Sequence, residues 1–406
     1  MKILHLATSL NGGAGVAARR MNKALNSIGM DSQILGRNGN SNQSPDLEIE
    51  LKLNEVQKIF SSTVTVVQST LIQKSEDLVT SLSMSTLSPN HPLVMGADIL
   101  HFHSFYNLFS WGRLKKFSEL GKPIFITLHD QRLLTGGCHY ARGCVGFLTN
   151  CKNCPQTQYL FKDLPRVIHH QQEKTLATMS NLQLITPSSW LKSEALKSSL
   201  FQGRSVEVVH NPIPDLFHEC SNEHARKSLG VFNFEKVISF VSENLNNPYK
   251  DVQTFVRLAN SIVKAFGPEP FLFLVVGKGE IQGFNEEVFW RQIMPSNEAE
   301  MAEIMSAIDV LVVPSTEDNS PSVVGEALFA GASVVGSDTG GIPELIEYKK
   351  EKIFEVGDVA GAMKVTLEAL SHHDREANML SARSRFSSKI IARKLTLLYD
   401  KSLNDL

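Results

Sequence analysis

The sequence predicts an α/β protein of two similar domains, each built on a parallel sheet with helices on both faces. The first observation is length, since 406 residues exceed what one hydrophobic core usually organises. The second is an alternation of apolar, Val- and Ile-rich runs with amphipathic stretches, which is typical of doubly wound sheets. The third is that this alternation runs once to about residue 211 and starts again near residue 236.

Ten apolar runs are the predicted strands, six in the first half of the chain and four in the second. Helical patterns lie between them, and 212–234 joins the predicted domains 1–211 and 212–380. The polar, Ser-rich segment 40–95 is predicted to be an insertion of helices and loop, with a helix over 54–71. The predicted strands are 2–8, 31–36, 98–103, 123–129, 182–188, 206–211, 236–242, 271–277, 309–315 and 333–338.

The end of the chain, 381–406, carries apolar residues at helical spacing. Ile390, Ile391, Leu395 and Leu398 would lie on one face of a helix, which predicts that this helix packs on another element.

Composition excludes several classes of protein. Hydrophobic residues make up 42% of the chain and charged residues 20%, as in soluble globular proteins. A net charge of −2 and a pI near 6.7 argue against a nucleic-acid partner. No apolar run approaches the roughly eighteen residues of a membrane-spanning helix. The apolar run at the N-terminus is too short for a signal peptide and precedes an Arg-containing helical pattern, which predicts a cytoplasmic protein.

A glycine turn, NGGAG, separates the first predicted strand from the first helix. Gly12 and Gly13 there would let backbone N–H groups approach a phosphate or a sugar at a helix N-terminus. A tight turn without a ligand explains the glycines equally well. The spacing is not GxGxxG, so a nicotinamide cofactor is not favoured.

The segment 316–344 combines two carboxylates with a helix start and a second glycine turn. Ser320 and Pro321 predict a helix N-terminus suited to a diphosphate, and Glu326 would accept hydrogen bonds from ribose hydroxyls. Asp318 and Glu326 could instead be a glycosidase pair. Eight helical residues span about 12 Å, however, whereas retaining glycosidase carboxyls lie about 5.5 Å apart.

Two further candidates follow predicted strands. Lys250 lies in NNPYKD, where its ammonium could bind a phosphate, although a lone lysine is more often a solvated surface residue. His129 and Asp130 end the run PIFITLHD, at the edge where α/β sheets place their ligands.

The order and spacing of these motifs resemble glycosyltransferase family 4, a retaining group with the GT-B fold. Within it the chain is most similar to enzymes of exopolysaccharide and lipopolysaccharide synthesis. The family implies two Rossmann-like domains that face across a cleft and a final helix, 381–406, that returns to the first domain. The resemblance covers nearly the whole chain through NGGAGVAARRMNKAL, HFHSFYN, TLHDQRLLTGGCHY, CKNCPQ, TPSSWL, VVHNPI, NNPYKD, VVGKG and DVLVVPSTEDNSPSVVGEALFAGASVVGSDTGGIPELI.

The resemblance also implies a role for each candidate. Asp318 would bind hydroxyls of the donor sugar, Glu326 the ribose and Lys250 the diphosphate. His129 would lie near the reacting carbon. Gly12 and Gly13 would form the glycine loop of the first domain, and backbone amides near Asn319, Ser320 and Ser322 would hold the sugar and phosphates.

Two positions depart from the family pattern. Asp318 replaces the usual Glu, which shortens the reach by one methylene. Leu245 occupies the place of an Arg five residues before Lys250, so one positive charge facing the diphosphate is missing.

The implied reaction is transfer of a sugar, with retention, from a UDP-, GDP- or ADP-sugar to a glycan or lipid-linked acceptor. No catalytic metal is expected, and the nucleotide base is expected to be bound near Met294. A lipid-linked acceptor suggests peripheral contact with the inner face of the membrane. Its predicted surface is Trp111, Arg113, Lys115, Lys116 and Lys122, which a solvated helix face would also explain. A GT-B sugar-nucleotide epimerase and a non-enzymatic, zinc-stapled binding module are the alternatives.

Four of the five cysteines fall within the loop 135–156. A CxxC pair with two further thiols supplies four soft ligands for tetrahedral Zn²⁺. Two disulfides are the main alternative, which a reducing cytoplasm disfavours, and His139 is an alternative ligand. Four protein ligands leave no open position, so we predict a structural Zn²⁺ bound by Cys138, Cys144, Cys151 and Cys154.

Overall fold

The chain forms two compact units, each built on one parallel sheet. Unit 1 comprises Met1–His210 together with Ile391–Leu406, and unit 2 comprises Asn211–Ile390. The sheets have seven and six strands over the part of the chain that is described, so the predicted α/β class is confirmed. The computed structural model describes residues 1–37, 47–72, 86–106, 108–347 and 349–405.

The sheet of unit 1 has the order β3-β2-β1-β4-β5-β6-β7, and its direction of growth reverses between β1 and β4. All six predicted strands are present, and β3 is an additional short edge strand. The strands are β1 Lys2–Ser9, β2 Asp31–Arg37, β3 Glu48–Glu50, β4 Ile99–Ser104, β5 Ile124–Thr127, β6 Leu182–Thr186 and β7 Val206–Val208.

Helices lie between most of these strands along the chain, as the strand–helix alternation of the sequence predicts. They are α1 Gly12–Ser27, α2 Glu55–Val67, α3 Pro92–Gly96, α4 Trp111–Ser118, α5 Leu164–Ala177 and α6 Ser189–Lys197.

The predicted insertion 40–95 lies partly outside the described residues, at 38–46 and 73–85. In the part that is described, α2 and the π-helical turn Gln68–Ile72 confirm the helix predicted over 54–71. A capping box starts α2, because Asn54 accepts from the backbone of Gln57 while the Gln57 side chain accepts from the backbone of Asn54.

The sheet of unit 2 has the order β10-β9-β8-β11-β12-β13, and its direction reverses between β8 and β11. The four predicted strands are present, and the short edge strands β10 and β13 were not predicted. The strands are β8 Lys236–Asn244, β9 Phe271–Lys278, β10 Trp290–Ile293, β11 Val310–Val313, β12 Ser333–Ser337 and β13 Ile353–Phe354.

Seven helices of unit 2 lie within the described residues. They are α7 Asn222–Ser228, α8 Val252–Phe266, α9 Glu298–Ala307, α10 Ser322–Phe329, α11 Ile342–Leu345, α12 Val359–Ser371 and α13 Arg375–Phe386.

The last helix, α14 Ser388–Asn404, packs on the sheet of unit 1 from Ile391 onward. Ile391, Leu395 and Tyr399 are buried there against Ile3, Ile99, Phe125 and Ile185. The predicted face is partly wrong, since Ile390 is 40% exposed and Tyr399 takes the core position. Among the described residues, no helix combines the length and the apolar character needed to cross a bilayer.

Candidate active site

The predicted donor-binding residues of unit 2 follow its central strands. Lys250 comes after β8, Asp318 after β11 and Gly340 after β12. In open α/β sheets, ligands bind beyond the carboxyl ends of the strands where the strand order reverses. Residues about ninety positions apart are therefore delivered to one edge of the sheet, where a ligand site is expected.

Lys250 is held at the end of a short turn and paired with Asp318. The turn Pro248–Lys250 is capped by Asn247, whose side chain accepts a hydrogen bond from Tyr249 N at 3.0 Å. Lys250 Nζ lies 2.5 Å from Asp318 Oδ2, and the two side chains are 24% and 9% exposed. The fold thus joins two predicted site residues in a partly buried ion pair.

The second glycine turn fixes the backbone of Asp318. Gly341 N donates to Asp318 O at 3.0 Å. Gly340 has φ +57°, and a Cβ there would lie 1.8 Å from Asp318 O, a distance no side chain tolerates. Glycine is required at 340 because both the left-handed conformation and the close approach demand it. Its function here is to seat Asp318.

The helix α10 begins at Ser322, after the short loop that follows Asp318. Pro321 occupies its N-cap position and offers no side-chain acceptor to the first turn. A helix N-terminus of this kind favours an anion, since its amide groups point outward with partial positive charge. Asp318, Asn319 and Glu326 are 7%, 4% and 5% exposed, so the loop and the start of α10 gather buried polar groups. Ser320 and Ser322, half-buried, lie at the same helix start.

Leu245, which stands where the family pattern has an arginine, is part of the hydrophobic core. Leu245 is 2% exposed and packs with the apolar residues around α8. Its backbone N–H donates to Lys278 O at 2.7 Å, and Lys278 is the register partner of Asn244. Lys278 is exposed and ends β9. Its ammonium group thus lies at the carboxyl edge of the sheet, beside the strand β8 that leads to Lys250.

The glycine loop of unit 1 divides into three roles. Gly12 adopts φ +72° and begins α1. Gly13 has no atom within 4 Å of a would-be Cβ, so packing does not require glycine there. Gly15 does serve packing, since its Cβ would lie 2.5 Å from Ser9 O and Leu10 C. Gly12 and Gly13 keep an open backbone at the start of the helix, as the prediction of a ligand loop needs.

His129 lies just beyond β5 and is half-buried. Its Nε2 is 3.1 Å from Nδ1 of His103 on β4, and the two rings stack at 5.3 Å. Burial lowers the pKa of His129 to about 4, which the nearby carboxylate of Asp130 only partly offsets. His129 is therefore an uncharged imidazole at neutral pH.

The neighbouring Asp130 is engaged by Arg132. Their side chains approach to 2.5 Å, and the Arg132 guanidinium also lies 4.4 Å above the Tyr106 ring. Burial alone would raise the pKa of Asp130, but the charge and hydrogen bonds of Arg132 hold it below its usual range. Asp130 therefore stays ionised and structural, and His129 alone of this pair remains a site candidate.

The cysteine loop brings its four thiols to one cavity. Cys138, Cys144, Cys151 and Cys154 line it together with Thr135, Ala141, Phe147 and Pro165. Backbone N–H groups of Gly136 and Gly146 point at the sulfurs of Cys151 and Cys144, at 3.1 and 3.4 Å. All five cysteines of the chain are free thiols, which disagrees with the disulfide alternative.

Two further observations bear on a metal in this loop. A hydrogen bond from the Cys138 thiol lowers the pKa of Cys154 to about 6. Among the described residues, three or more candidate ligand atoms lie within 4.8 Å of one another only at His5, His101 and His103, so the four sulfurs are more widely spaced. The alternative ligand His139 lies instead beside Arg132 and Asp130.

A comparison of unit 2 with known families decides its class. Residues 235–372 match the family model described as Glycosyl transferases group 1.

These residues form a group 1 glycosyl transferase domain.

Curated relatives agree with this assignment and confirm the predicted resemblance to glycosyltransferases. N-acetyl-alpha-D-glucosaminyl L-malate synthase of Bacillus anthracis is 24% identical over 50% of this chain and 55% of its own length. The putative colanic acid biosynthesis glycosyl transferase WcaC of Escherichia coli is 26% identical over 62% of each chain. The chain spans about half to three fifths of the length of the first curated relatives it matches.

Solved structures show the same fold. Sucrose-phosphate synthase from Thermosynechococcus elongatus aligns over 100% of both chains with a TM-score of 0.66 at 14% identity. HepE of Anabaena, solved with UDP-glucose, aligns over 100% of both chains with a TM-score of 0.61 at 15% identity. At such identities the likeness concerns the fold alone, and it confirms the predicted two-domain GT-B architecture.

The predicted membrane surface is wrong for two of its residues. Trp111 is buried, with its ring edge-on to Phe105 at 5.4 Å. Lys122 donates to the carbonyls of Val94, Met95 and Ala97, which terminates α3. A tryptophan at the start of an amphipathic helix packs inward when it shares the apolar face, as Trp111 does with Leu114 and Phe117. Arg113, Lys115 and Lys116 remain as the basic residues of α4.

Sequence reasoning missed the histidines beside His129. His101 and His103 alternate along β4, so both point to the same face of the sheet, and His101 is the register partner of His5 on β1. Histidines at i and i+2 in an apolar run, matched by another in the preceding strand, are the sequence signal that could have revealed them.

Proposed function

We propose that the group 1 chain transfers a sugar from a nucleotide-sugar donor to a glycan or lipid-linked acceptor, with retention of configuration. The observation that carries this proposal is the Lys250–Asp318 pair beside the N-terminus of α10, at the reversal point of the unit 2 sheet. Its cation and helix N-terminus suit a diphosphate, and its carboxylate suits sugar hydroxyls.

The pair implies a competition when a donor binds. Lys250 is neutralised by Asp318 in the unliganded chain, and a diphosphate would draw the ammonium away from the carboxylate. Asp318 would then accept hydrogen bonds from the sugar, while Glu326 accepts from the ribose. Lys250 and the amides of Asn319, Ser320 and Ser322 would stabilise the leaving diphosphate as its charge develops, without a catalytic metal.

We propose Lys278 as the replacement for the missing arginine. It is exposed at the carboxyl end of β9, in register with Asn244 at the end of β8. A lysine at this edge supplies a second positive charge for the same diphosphate, although without the bidentate geometry of a guanidinium.

The comparisons support a donor and an acceptor class. HepE is solved with UDP-glucose, and WcaC is named for colanic acid biosynthesis. By analogy we propose a UDP-sugar as the first donor to test and surface polysaccharide synthesis as the setting. We assign acceptor binding to unit 1, with the 135–156 loop at its rim. Within that unit we propose Gly12, Gly13 and His129 as residues that bind sugar or phosphate groups.

The function is tested with a panel of UDP-, GDP- and ADP-sugars, with and without polyprenyl-linked or oligosaccharide acceptors. We expect one donor to be consumed with an acceptor, and the anomeric proton coupling in the product to match that of the donor. Release of an epimerised sugar without acceptor would indicate the epimerase alternative. No saturable nucleotide-sugar binding, with no effect of Lys250→Ala, would indicate a binding module.

We also propose that the four loop cysteines hold one structural Zn²⁺. The four thiols already share a cavity and two receive backbone hydrogen bonds, so a metal needs only to draw the sulfurs closer. Metal analysis of protein purified under reducing conditions should find about one zinc per chain. Cys154→Ser should lose it, whereas Cys220→Ser, in unit 2, should keep it. Wild-type protein without zinc would contradict the proposal.

Peripheral membrane contact stays a prediction, now confined to the basic residues of α4. Co-sedimentation with vesicles containing anionic phospholipid should be weakened by Lys115→Glu together with Lys116→Glu, since both side chains are exposed. Binding that is absent from the wild type, or unchanged in the double variant, would count against this surface.

A further inference from the structure

Two buried histidines, His5 and His103, and the half-buried His129 form a continuous series of hydrogen bonds in unit 1. His5 Nδ1 lies 2.8 Å from His103 Nε2, and His103 Nδ1 lies 3.1 Å from His129 Nε2. Successive rings stack, with centroids 5.1 and 5.3 Å apart and planes inclined by 28° and 29°. The proposed function uses only His129 and leaves the other two rings unexplained.

The three rings are neutral, and this restricts their protons. Burial lowers the pKa of His5 to about 3 and of His129 to about 4, and lowers that of His103 well below its ordinary value. A neutral imidazole has one N–H and one bare nitrogen. Because His103 lies in the middle, it must accept at one nitrogen if it donates at the other. Both hydrogen bonds therefore run in the same direction, either toward His129 or toward His5.

The ring nitrogen of His5 that faces away from His103 decides the direction of the two hydrogen bonds. His5 Nε2 is buried and has no hydrogen-bond partner among the described residues. If the bonds ran toward His5, its proton would lie on this nitrogen as a buried, unbonded N–H, which folded proteins rarely contain. If they run toward His129, His5 Nε2 is a bare lone pair, which is better tolerated. In the favoured arrangement, His5 Nδ1–H donates to His103 Nε2, and His103 Nδ1–H donates to His129 Nε2.

A metal ion is the competing explanation, since nitrogens of His5, His101 and His103 all lie within 4.8 Å of one another. Two nitrogens about 2.1 Å from a tetrahedral Zn²⁺ would be roughly 3.4 Å apart. The 2.8 Å between His5 Nδ1 and His103 Nε2 is a hydrogen-bond distance instead. Both nitrogens of His101 are already occupied, by Tyr399 OH at 2.6 Å and Thr127 Oγ1 at 2.7 Å.

We infer that His5 and His103 are positioning residues that fix His129 as its Nδ1–H tautomer. The hydrogen bond made by one ring nitrogen sets which nitrogen carries the proton. His129 Nε2 accepts from His103, so its Nδ1 is a hydrogen-bond donor and cannot act as a base. Resting on the proposed function, this means that a sugar or phosphate oxygen meeting Nδ1 of His129 would accept a hydrogen bond from it.

The tautomers can be read directly in the unliganded protein. Long-range ¹H–¹⁵N spectra of protein labelled with ¹⁵N-histidine distinguish protonated from bare ring nitrogens, and a His129→Gln sample assigns the resonance. We expect the proton of His129 and that of His103 on Nδ1. A proton on His129 Nε2 would overturn the inference. Because no substrate is used, this result stands whether or not the chain proves to be a transferase.

Variants of His103 then test the consequence. His103→Asn places an amide N–H₂ near the position of Nδ1, whereas His103→Leu removes the donor from a side chain of similar size. We expect Leu to move the His129 proton to Nε2 and to lower kcat by roughly ten- to a hundredfold, with a smaller change in KM. Asn should restore both the tautomer and most of kcat.

The matched control is His170→Leu, since His170 is an exposed histidine of α5. This substitution should change neither the tautomer of His129 nor kcat. Equal losses in the Asn and Leu variants, with the His129 tautomer unchanged in both, would show a merely structural role and contradict the inference. If His103→Leu does not fold, the wild-type spectrum still shows which ring nitrogen of His129 carries the proton.

Discussion

Units 1 and 2 share a doubly wound sheet whose direction reverses at its first strand, yet they place different chemistry there. Unit 2 presents a partly exposed ion pair, Lys250 with Asp318, beside a helix N-terminus. Unit 1 presents neutral imidazoles, of which His5 and His103 lie on the two strands flanking the reversal. Charge needs a partner or water to be tolerated, whereas neutral imidazoles can be stacked in the interior. One topology thus accommodates a charged ion pair in one unit and a series of neutral imidazoles in the other.

Removing the Lys250 ammonium from the unit 2 site should have the largest effect on catalysis. Lys250→Ala should lower kcat by about 10²- to 10³-fold, because the departing diphosphate loses its main counter-charge. Steady-state kinetics with the active donor measures this, and Lys250→Arg should recover part of the loss. Lys264→Ala, an exposed lysine at the far end of α8, should stay within about twofold of wild type. Equal losses in both alanine variants would contradict the assignment.

Asp318→Asn separates the two members of the pair. Without the carboxylate, Lys250 is no longer neutralised, so nucleoside diphosphate should bind as tightly as in wild type or several-fold tighter. Sugar transfer should fall by at least about a hundredfold, because the amide is a poorer acceptor for the sugar hydroxyls. Isothermal titration with UDP, beside the kinetics, checks both. A loss of UDP affinity would show that Asp318 supports the diphosphate site instead of competing for Lys250.

Glycine 340 tests how far the charged site depends on a single backbone contact. Gly340→Ala should lower the free energy of unfolding by about 2–5 kcal/mol, because it combines a left-handed backbone with a Cβ placed 1.8 Å from Asp318 O. Gly357→Ala is the matched control, since Gly357 has φ +78° but no atom within 4 Å of its Cβ. It should cost only about 1–2 kcal/mol. Chemical denaturation measures both, and equal costs would show that strain alone matters.

Lowering the pH should destabilise unit 1, which contains the neutral histidines. Burial lowers the pKa of His5 from 6.5 to about 3, so the unfolded chain binds more protons between these values. The free energy of unfolding therefore falls as the pH drops below 6.5, by up to about 1.4 kcal/mol per pH unit for each such histidine. His5→Gln should make this fall shallower, and His170→Gln, which is exposed, should not. Parallel slopes for wild type and His5→Gln would contradict the burial of a neutral ring.

Lys278 gives the smallest expected effect. Lys278→Ala should raise the KM for the donor by about three- to tenfold and leave kcat nearly unchanged, since an exposed cation contributes modestly to phosphate binding. The effect should shrink as ionic strength rises. A salt-independent KM in wild type and variant would remove Lys278 as the replacement for the missing arginine.

Much of the charged site followed from the sequence, because its residues lie just after predicted strands. Parallel strands deliver their carboxyl ends to one edge, so Lys250, Asp318 and Gly340 could be expected together. The ion pair itself could not be predicted, since it depends on how far β8 and β11 extend and how the intervening turn closes. Leu245 marked a missing charge in the sequence, but only the register of β8 with β9 pointed to Lys278.

The sequence by itself determined the α/β class, the buried strands and the cysteine loop, because apolar periodicity and residue spacing are local properties of the chain. Tertiary structure alone decided the short edge strands, the inward position of Trp111 and the role of Lys122 in ending α3. It also decided the hydrogen-bonded histidines, which come from β1, β4 and the segment after β5, and the bond from His101 to Tyr399, 298 residues away. Such contacts depend on strand register and on the return of α14, and neither is written in local sequence.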